Sequence, residues 1–142
     1  MDATSLPPMV RAETSFQLLY VSRLAPGCTW EIVKEIVAAS RKHNPAHGIG
    51  GALLFDGERF CQLIEGAEAN VQALLRNIVR DPRHTDVKVL FEGESLGARA
   101  MPRWASGYCD SHELEALDGE SGLRDRPALH AFVLVLKAAD LE

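Results

Sequence analysis

Cysteine is scarce in this chain. The three present, Cys28, Cys61 and Cys109, are odd in number, far apart and without CxxC spacing. That fits a reducing compartment better than a disulfide framework. Excess positive charge is also missing. A net charge of -5 argues against a general nucleic-acid binder, because neutralising phosphates takes clustered Lys and Arg. No apolar run reaches the ~20 residues of a membrane span. The N-terminal MDATSLPPMVRAE lacks the apolar core of a signal peptide. A cytoplasmic protein without membrane partners is expected. Walker and GxGxxG patterns are absent, as are internal repeats and low-complexity stretches.

What is there reads as an ordinary globular balance, with 46% hydrophobic and 25% charged residues in 142, enough for one domain with a core of its own. Residues 1–15, with their prolines and no clear period, read as a flexible lead-in. FQLLYVS, 16–22, predicts a strand. Pro26 and Gly27 mark a turn, and Thr29 is placed to N-cap a helix with Glu31 in its first turn. Val33, Ile36, Val37 and Ser40 follow at helical spacing, and Arg41, Lys42 and His43 suit a last turn that Pro45 closes. IGGALLF and RFCQLIE predict two strands, 49–55 and 59–65, in a hairpin about Asp56-Gly57. Both faces of these strands are largely apolar, so both faces of the sheet must be covered. Val71, Leu74, Leu75, Ile78 and Val79 form one stripe of a helix over 67–80, ended by Pro82. VKVLFEG, 87–93, predicts a strand and 99–108 a fifth, giving βαββαβ plus one more strand. A short helical piece near 111–117, a break at Gly119 and Gly122, and a helix over 127–139 complete the chain. Leu129, Phe132, Val133 and Leu136 give that last helix an apolar stripe to cover the second sheet face.

One polar residue stands out. Gln62 sits mid-strand between Phe60 and Ile64 on one face. A primary amide brings two donors and an acceptor into that apolar layer, and leaving them unsatisfied costs on the order of 1–3 kcal/mol. Tyr20 and a bound polar ligand are the candidate partners. Other signals are weaker. His43 and His47 are four apart, but the intervening Pro45 argues against one shared helical face, and no metal site is expected. Cys61 alternates to the face opposite Gln62, where an inert buried thiol is expected. Glu65 and Glu68 are expected at a strand end and helix start, near the positive end of the helix dipole.

LLYVSR (18–23), SRKHN (40–44), GIGGALLFDGERFCQLIEG (48–66), RDPRHTDVKVL (80–90) and Trp104 together resemble the BLUF family, the blue-light sensors using flavin, over about residues 16–109. The resemblance implies an α+β, ferredoxin-like βαββαββ sheet. Two helices would lie on one face and C-terminal helices, within a cap of 110–142, on the other. It implies FAD, with FMN as the alternative, held without a covalent link between the first two helices. The family's flavin-reading tyrosine, asparagine and glutamine match Tyr20, Asn44 and Gln62. Ser40 is a further candidate behind Gln62. Asp81, Arg83 and His84 are candidates for the ribityl or phosphate tail, since an arginine suits phosphate geometry. Trp104 joins Tyr20 and Gln62 as a photoactive candidate. In the family, transient transfer from the tyrosine and its return leave the glutamine rotated or tautomerised, a two-state element that light biases.

Three positions depart from the family pattern. Ser106 stands where a methionine is frequent, Met101 where a phenylalanine is common, and Gly50 where a threonine is common. The missing methionine bears on transmission through the fifth strand, and Gly50 on the tightness of the pocket. Two other readings compete with the photoreceptor. One is a BLUF-like interaction module that no longer senses light. The other is an acylphosphatase-type ferredoxin-like hydrolase, for which SRLAPGCTW offers no clear phosphate-cradling loop. The expected protein is not an enzyme. It signals by contact with a downstream protein and as a homo-oligomer.

Overall fold

The computed structural model describes residues 15–95, 103–118 and 122–141. Residues 1–14 of the expected lead-in, Met101 and Gly119 lie outside them, while Ser15, the last lead-in residue, is the first of a strand. The elements are β1 (Ser15–Leu24), α1 (Trp30–Ala46), β2 (Gly50–Phe55), β3 (Arg59–Gly66), α2 (Glu68–Arg80), β4 (His84–Ser95), β5 (Trp104–Tyr108), α3 (Ser111–Glu115), α4 (Asp125–Ala138) and β6 (Asp140–Leu141). They build one sheet in the order β4-β1-β3-β2-β5-β6. β1 runs antiparallel to β3 and β4, and β2 antiparallel to β3. β5 adds parallel to β2, the arrangement of a ferredoxin-like α+β fold with one strand appended. The two-residue β6 pairs with β5 and had no signal in the sequence.

Strand alternation divides the core in two. On one face Phe16, Leu18, Tyr20 and Ile64 pack with Val71 of α2, while Leu53, Phe55 and Phe60 pack with Val33 of α1. On the other, Leu19, Val21, Leu54, Cys61 and Leu63 pack against Leu114 and Leu117 and against Ala128, Phe132 and Leu136 of α4. Both faces are covered, as the two-sided apolar strands require.

Local chemistry explains the joints. The hairpin turns through Gly57 at φ +101, a glycine conformation at the first central position of the turn. Asp56 Oδ1 accepts the backbone N–H of Glu58 at 2.9 Å and of Arg59 at 2.6 Å, which holds the loop. Gly51 has φ +130, and a Cβ there would lie 1.9 Å from the Leu63 carbonyl oxygen, so only glycine fits. The long edge strand β4 slips register twice against β1, between Leu19 and Tyr20 and between Val21 and Arg23. Such bulges protect an edge from pairing with another chain.

Helix α1 ends at Ala46, one residue past Pro45, so the proline allows little continuation, as expected, and only the bond to the Arg41 carbonyl is lost. Other sequence expectations need correction. Thr29 occupies the N-cap position without a side-chain capping bond. His43 and His47 are not separated by Pro45. Their rings stack with centroids 4.0 Å apart, and His47 Nδ1 lies 2.9 Å from the His43 carbonyl. Val79 is 59% exposed and off the buried stripe. Eight residues on from Val71 it stands about 80° round the helix, at the stripe's margin. In α4 the buried row is Ala128, Phe132 and Leu136, and Val133 lies beside it rather than in it. Glu65 stands at the end of β3 and Glu68 opens α2, as expected, and Glu65 is wholly buried and accepts a hydrogen bond from Gln17 Nε2 at 2.8 Å.

Candidate functional site

Antiparallel pairing sets Tyr20 of β1 directly opposite Gln62 of β3. Both side chains point to the face covered by α1 and α2. The Tyr20 hydroxyl donates to Gln62 Oε1 at 2.6 Å in a buried contact. Burial pushes the Tyr20 phenol far above its ordinary range, with the nearby Cys61 and Asp81 adding to the shift. The phenol is therefore a fixed proton donor. With its oxygen taken by Tyr20, the Gln62 amide has its two N–H donors left to offer.

A cavity of ≈ 240 Å³ opens at this pair, between α1 and α2. It approaches the roughly 300 Å³ at which ligand pockets begin. Its wall includes Tyr20 and Gln62 from the sheet, Ser40 and Asn44 from α1, and Asp81, Arg83 and His84 from the start of β4 and the turn before it. Every candidate cofactor residue named from the sequence lines this space. Trp104 does not. It is half-buried on β5, packed between the two apolar clusters of the same face, and its indole N–H is buried without a partner.

Asn44 is the informative wall residue. Its backbone carbonyl accepts the N–H of His47 at 3.0 Å and of Ile49 at 2.9 Å, which fixes the end of α1. Its side chain is buried and its Nδ2 has no partner. A buried orphan donor is costly unless something fills the cavity beside it. Asn44 and Gln62 thus present amide donors between apolar walls of Ile36, Leu74 and Ile78. That is the chemistry a flat heteroaromatic ring with carbonyl oxygens on its edge calls for.

At the sheet end of the cavity Arg83 binds Asp81 through its fork, with Nε at 2.9 and 3.0 Å and Nη2 at 2.6 Å from the carboxylate oxygens. The Arg83 hydrogen bond holds the Asp81 carboxyl below its ordinary range. His84 is turned into the sheet, with Nδ1 3.1 Å from Ser22 Oγ. Its ring centroid lies 6.5 Å from that of Tyr20 and 5.7 Å from that of Phe60. Burial lowers its pKa, so it is neutral at pH 7. Sequence reading missed His43 and Asn77 as wall residues. His43, three positions from Ser40 on the same helix, could have been found by helical neighbourhood; Asn77, between Leu74 and Ile78, had no signal of its own.

On the same face of β5, Ser106 is buried and its Oγ lies 3.1 Å from Arg41 Nη2 of α1, tying the fifth strand to the helix that carries Ser40 and Asn44. A ferredoxin-like module with a ring-sized cavity against a buried tyrosine–glutamine bond belongs to the class of cofactor-binding signalling domains. The chain belongs to the BLUF family, whose sequence profile, described as sensors of blue-light using FAD, matches residues 16–107. It is thus a flavin-binding blue-light sensor, and FAD is the cofactor by which the family is defined.

Over 70 residues it is 34% identical to the blue light- and temperature-regulated antirepressor BluF of Escherichia coli (strain K12), covering 49% of this chain and 17% of that protein. Over 83 residues it is 29% identical to the photoactivated adenylate cyclase subunit beta of Euglena longa, covering 57% of this chain and 10% of that one. The match therefore spans only a small part of these relatives. Among solved structures, the dark state of the BLUF protein BlrB superposes with a TM-score of 0.71 at 28% identity, over 89% of this chain and 97% of that one. Photo-activated BlsA shares the fold, with a TM-score of 0.74 at 22% identity over 90% and 98% of the two chains. No helix among the described residues is long and apolar enough to cross a membrane.

Proposed function

We propose that light is registered as a change in the hydrogen bond between Tyr20 and Gln62. The observation that carries this reading is the 2.6 Å bond itself, buried at the wall of the cavity. A bound flavin supplies an excited state that is a strong oxidant. Tyr20 holds the phenolic proton against Gln62 Oε1, and Gln62 is the group that can answer by rotating or tautomerising. Either outcome exchanges the donor and acceptor that Gln62 presents, with no net reaction, which is a two-state element. Asn44 holds the polar edge of the ring by its orphan amide, and Ser40 sits beside it on α1. Asp81, Arg83 and His84 serve the end of the cavity that takes the ribityl or phosphate tail. Trp104 acts from β5 on the packing of this face.

The sensor module is residues 16–109, and 110–142 is a C-terminal cap. The chain works without enzymatic activity of its own, in the cytoplasm, by contact with a downstream protein or between copies of itself. Denaturing the purified protein should release free flavin, and blue light should shift the flavin absorption slightly to the red, reversibly in darkness. Failure to take up FAD or FMN on reconstitution overturns the reading.

A further inference from the structure

A second cavity, ≈ 430 Å³, opens at the N-terminal end of α1, and none of the residues lining it lines the first. Phe55, Trp30 and Tyr108 form its aromatic side. Phe55 is buried, but Trp30 and Tyr108 are 48% and 45% exposed, two large rings left half in water at a concave site. The Trp30 ring centroid lies 5.3 Å from that of Tyr108 and 6.4 Å from that of Phe55. Leu24 and Val33 continue the apolar wall. Asp56 stands in it too, but its side chain is fully buried and paired with Arg59, so it asks for nothing from outside.

A small molecule in its pocket gives about 70–90% of its surface to the protein. Two rings half in water do not enclose one. They make a shelf for an extended chain, and proline suits it: the ring is apolar and the backbone already extended, so little entropy is lost on docking. Charge narrows the choice. Among the described residues no Lys, Arg or His lines the cavity. Cys109, another wall residue, is pushed up to about 12 by burial and by the charges of Glu113, Asp56 and Asp110. A cation beside the prolines is favoured there and an anion is not.

The chain itself carries such a segment. Leu6-Pro7-Pro8-Met9-Val10-Arg11 sets two prolines ahead of an arginine, before β1. It cannot serve its own cavity. The cavity lies at the Leu24 end of β1, about 30 Å along the ten-residue strand from Ser15. Even fully extended, the chain carries Pro8 at most ~25 Å and Arg11 ~14 Å back from Ser15.

We propose that this cavity is a docking site for the 6–11 segment of a second copy of the chain, with its prolines on Trp30 and Tyr108 and its Arg11 directed at Asp110 and Glu113. Exchanged both ways, the contact joins two copies through two such sites, and the second docking then follows within one assembly, which strengthens a weak segment into a dimer.

The test is the assembly state of the flavin-loaded full chain in darkness, by sedimentation across a series of protein concentrations. A concentration-dependent dimer is expected. The double variant Pro7→Ala/Pro8→Ala, which leaves every core residue unaltered, should weaken it at least about tenfold, as should Trp30→Ala. Should Trp30→Ala not fold, Tyr108→Ala, at an exposed position, must show the same loss. Arg11→Ala should weaken the dimer by about threefold, and added salt should erase that difference. The capped peptide of residues 5–12, added to Pro7→Ala/Pro8→Ala, should move the Trp30 indole N–H chemical shift, and in excess it should dissociate the dimer of the unaltered chain. A peptide that leaves the Trp30 signal unmoved overturns the site. An undiminished dimer in Pro7→Ala/Pro8→Ala overturns the second copy as its occupant, and so does a chain that stays monomeric, even where the peptide binds.

Discussion

The two faces of the sheet are made from alternate residues of the same strands, yet they differ in kind. The face under α1 and α2 holds buried Tyr20, Asn44 and Gln62, an unpartnered Asn44 amide, an unpartnered Trp104 indole and a cavity. The face under α3 and α4 is an apolar layer from Leu19 to Leu136, with the ion pairs of Asp118 at one end and the buried Gln17–Glu65 hydrogen bond at the other. The first stores polar groups that a ligand must satisfy, and the second supplies the burial that makes such groups tolerable. Function and stability are separated by a strand period of two. Changes on one face should therefore damage stability with the photochemistry spared, and changes on the other the reverse.

The largest expected effect lies on the dry face. Phe132→Asp removes a fully buried ring and leaves a charge without a partner. A loss of about 3–5 kcal/mol is expected by denaturant titration, with a normal light response in whatever remains folded. An unchanged melting temperature and assembly state would mean that α4 is not the cover of this face. Tyr20→Phe makes the opposite case. It removes one hydroxyl and strands Gln62 Oε1, at a cost of about 1–3 kcal/mol, yet the reversible spectral shift should vanish altogether.

Asp118→Asn probes the charged end of the dry face. Arg23 and Arg59 stand directly opposite each other on β1 and β3, a like-charge pair that needs a counter-ion. Asp118 reaches both, at 2.7 Å and 3.4 Å, and Lys88 at 2.7 Å. Burial alone would raise the Asp118 carboxyl, but the Lys88 hydrogen bond and the charges of Lys88, Arg23 and Arg59 outweigh it and hold it below its ordinary range. The substitution should cost about 1–3 kcal/mol, less than a fully buried pair because Arg23 and Lys88 reach water. The pH sign follows. Asp81 and Asp118 both have folded pKa values depressed below the unfolded 3.8, so their contribution is present above that value and is lost as pH falls through the folded ones. His84 acts in the same direction at higher pH. Its folded pKa lies below the unfolded 6.5, so stability starts to fall as pH drops through 6.5. Melting temperature should decline on acidification, and in Asp118→Asn the decline below pH 4 should be shallower.

The smallest effect concerns the fifth strand. Ser106→Met would place a larger side chain at a buried position and displace the Arg41 contact. If a methionine there strengthens transmission, the light–dark difference in hydrogen exchange over residues 103–141 should grow while the spectral shift is unaltered. Equal differences in both proteins would remove this position from the output route.

Much of the site could be read before the fold. Gln62 betrayed itself as an amide in an apolar strand, and the order of Tyr20, Asn44 and Gln62 matched a family. Tyr20 could be named as a candidate partner of Gln62, but not the register that sets the two residues, 42 apart in sequence, directly opposite each other. The same limit hid the Gln17–Glu65 pair, the Asp118 cluster and β6, all contacts between residues far apart in sequence. Local rules failed where neighbours overrode them. Pro45 ends α1 within one residue, as its ring requires, yet it does not part His43 from His47, whose rings stack across it. Gly51 was legible only as a second glycine in a strand. Its reason, a carbonyl oxygen where a Cβ would stand, lies on the neighbouring chain segment.

The central claim is that the bond between Tyr20 and Gln62 is the element that light changes. The most direct measurement is the light-minus-dark absorption difference of flavin-loaded Gln62→Leu beside the unaltered protein, with flavin content matched. Leucine keeps the bulk and cannot hydrogen-bond. The account predicts a reversible red shift in the unaltered protein and none in Gln62→Leu. A reversible shift of normal size in the leucine variant would contradict it.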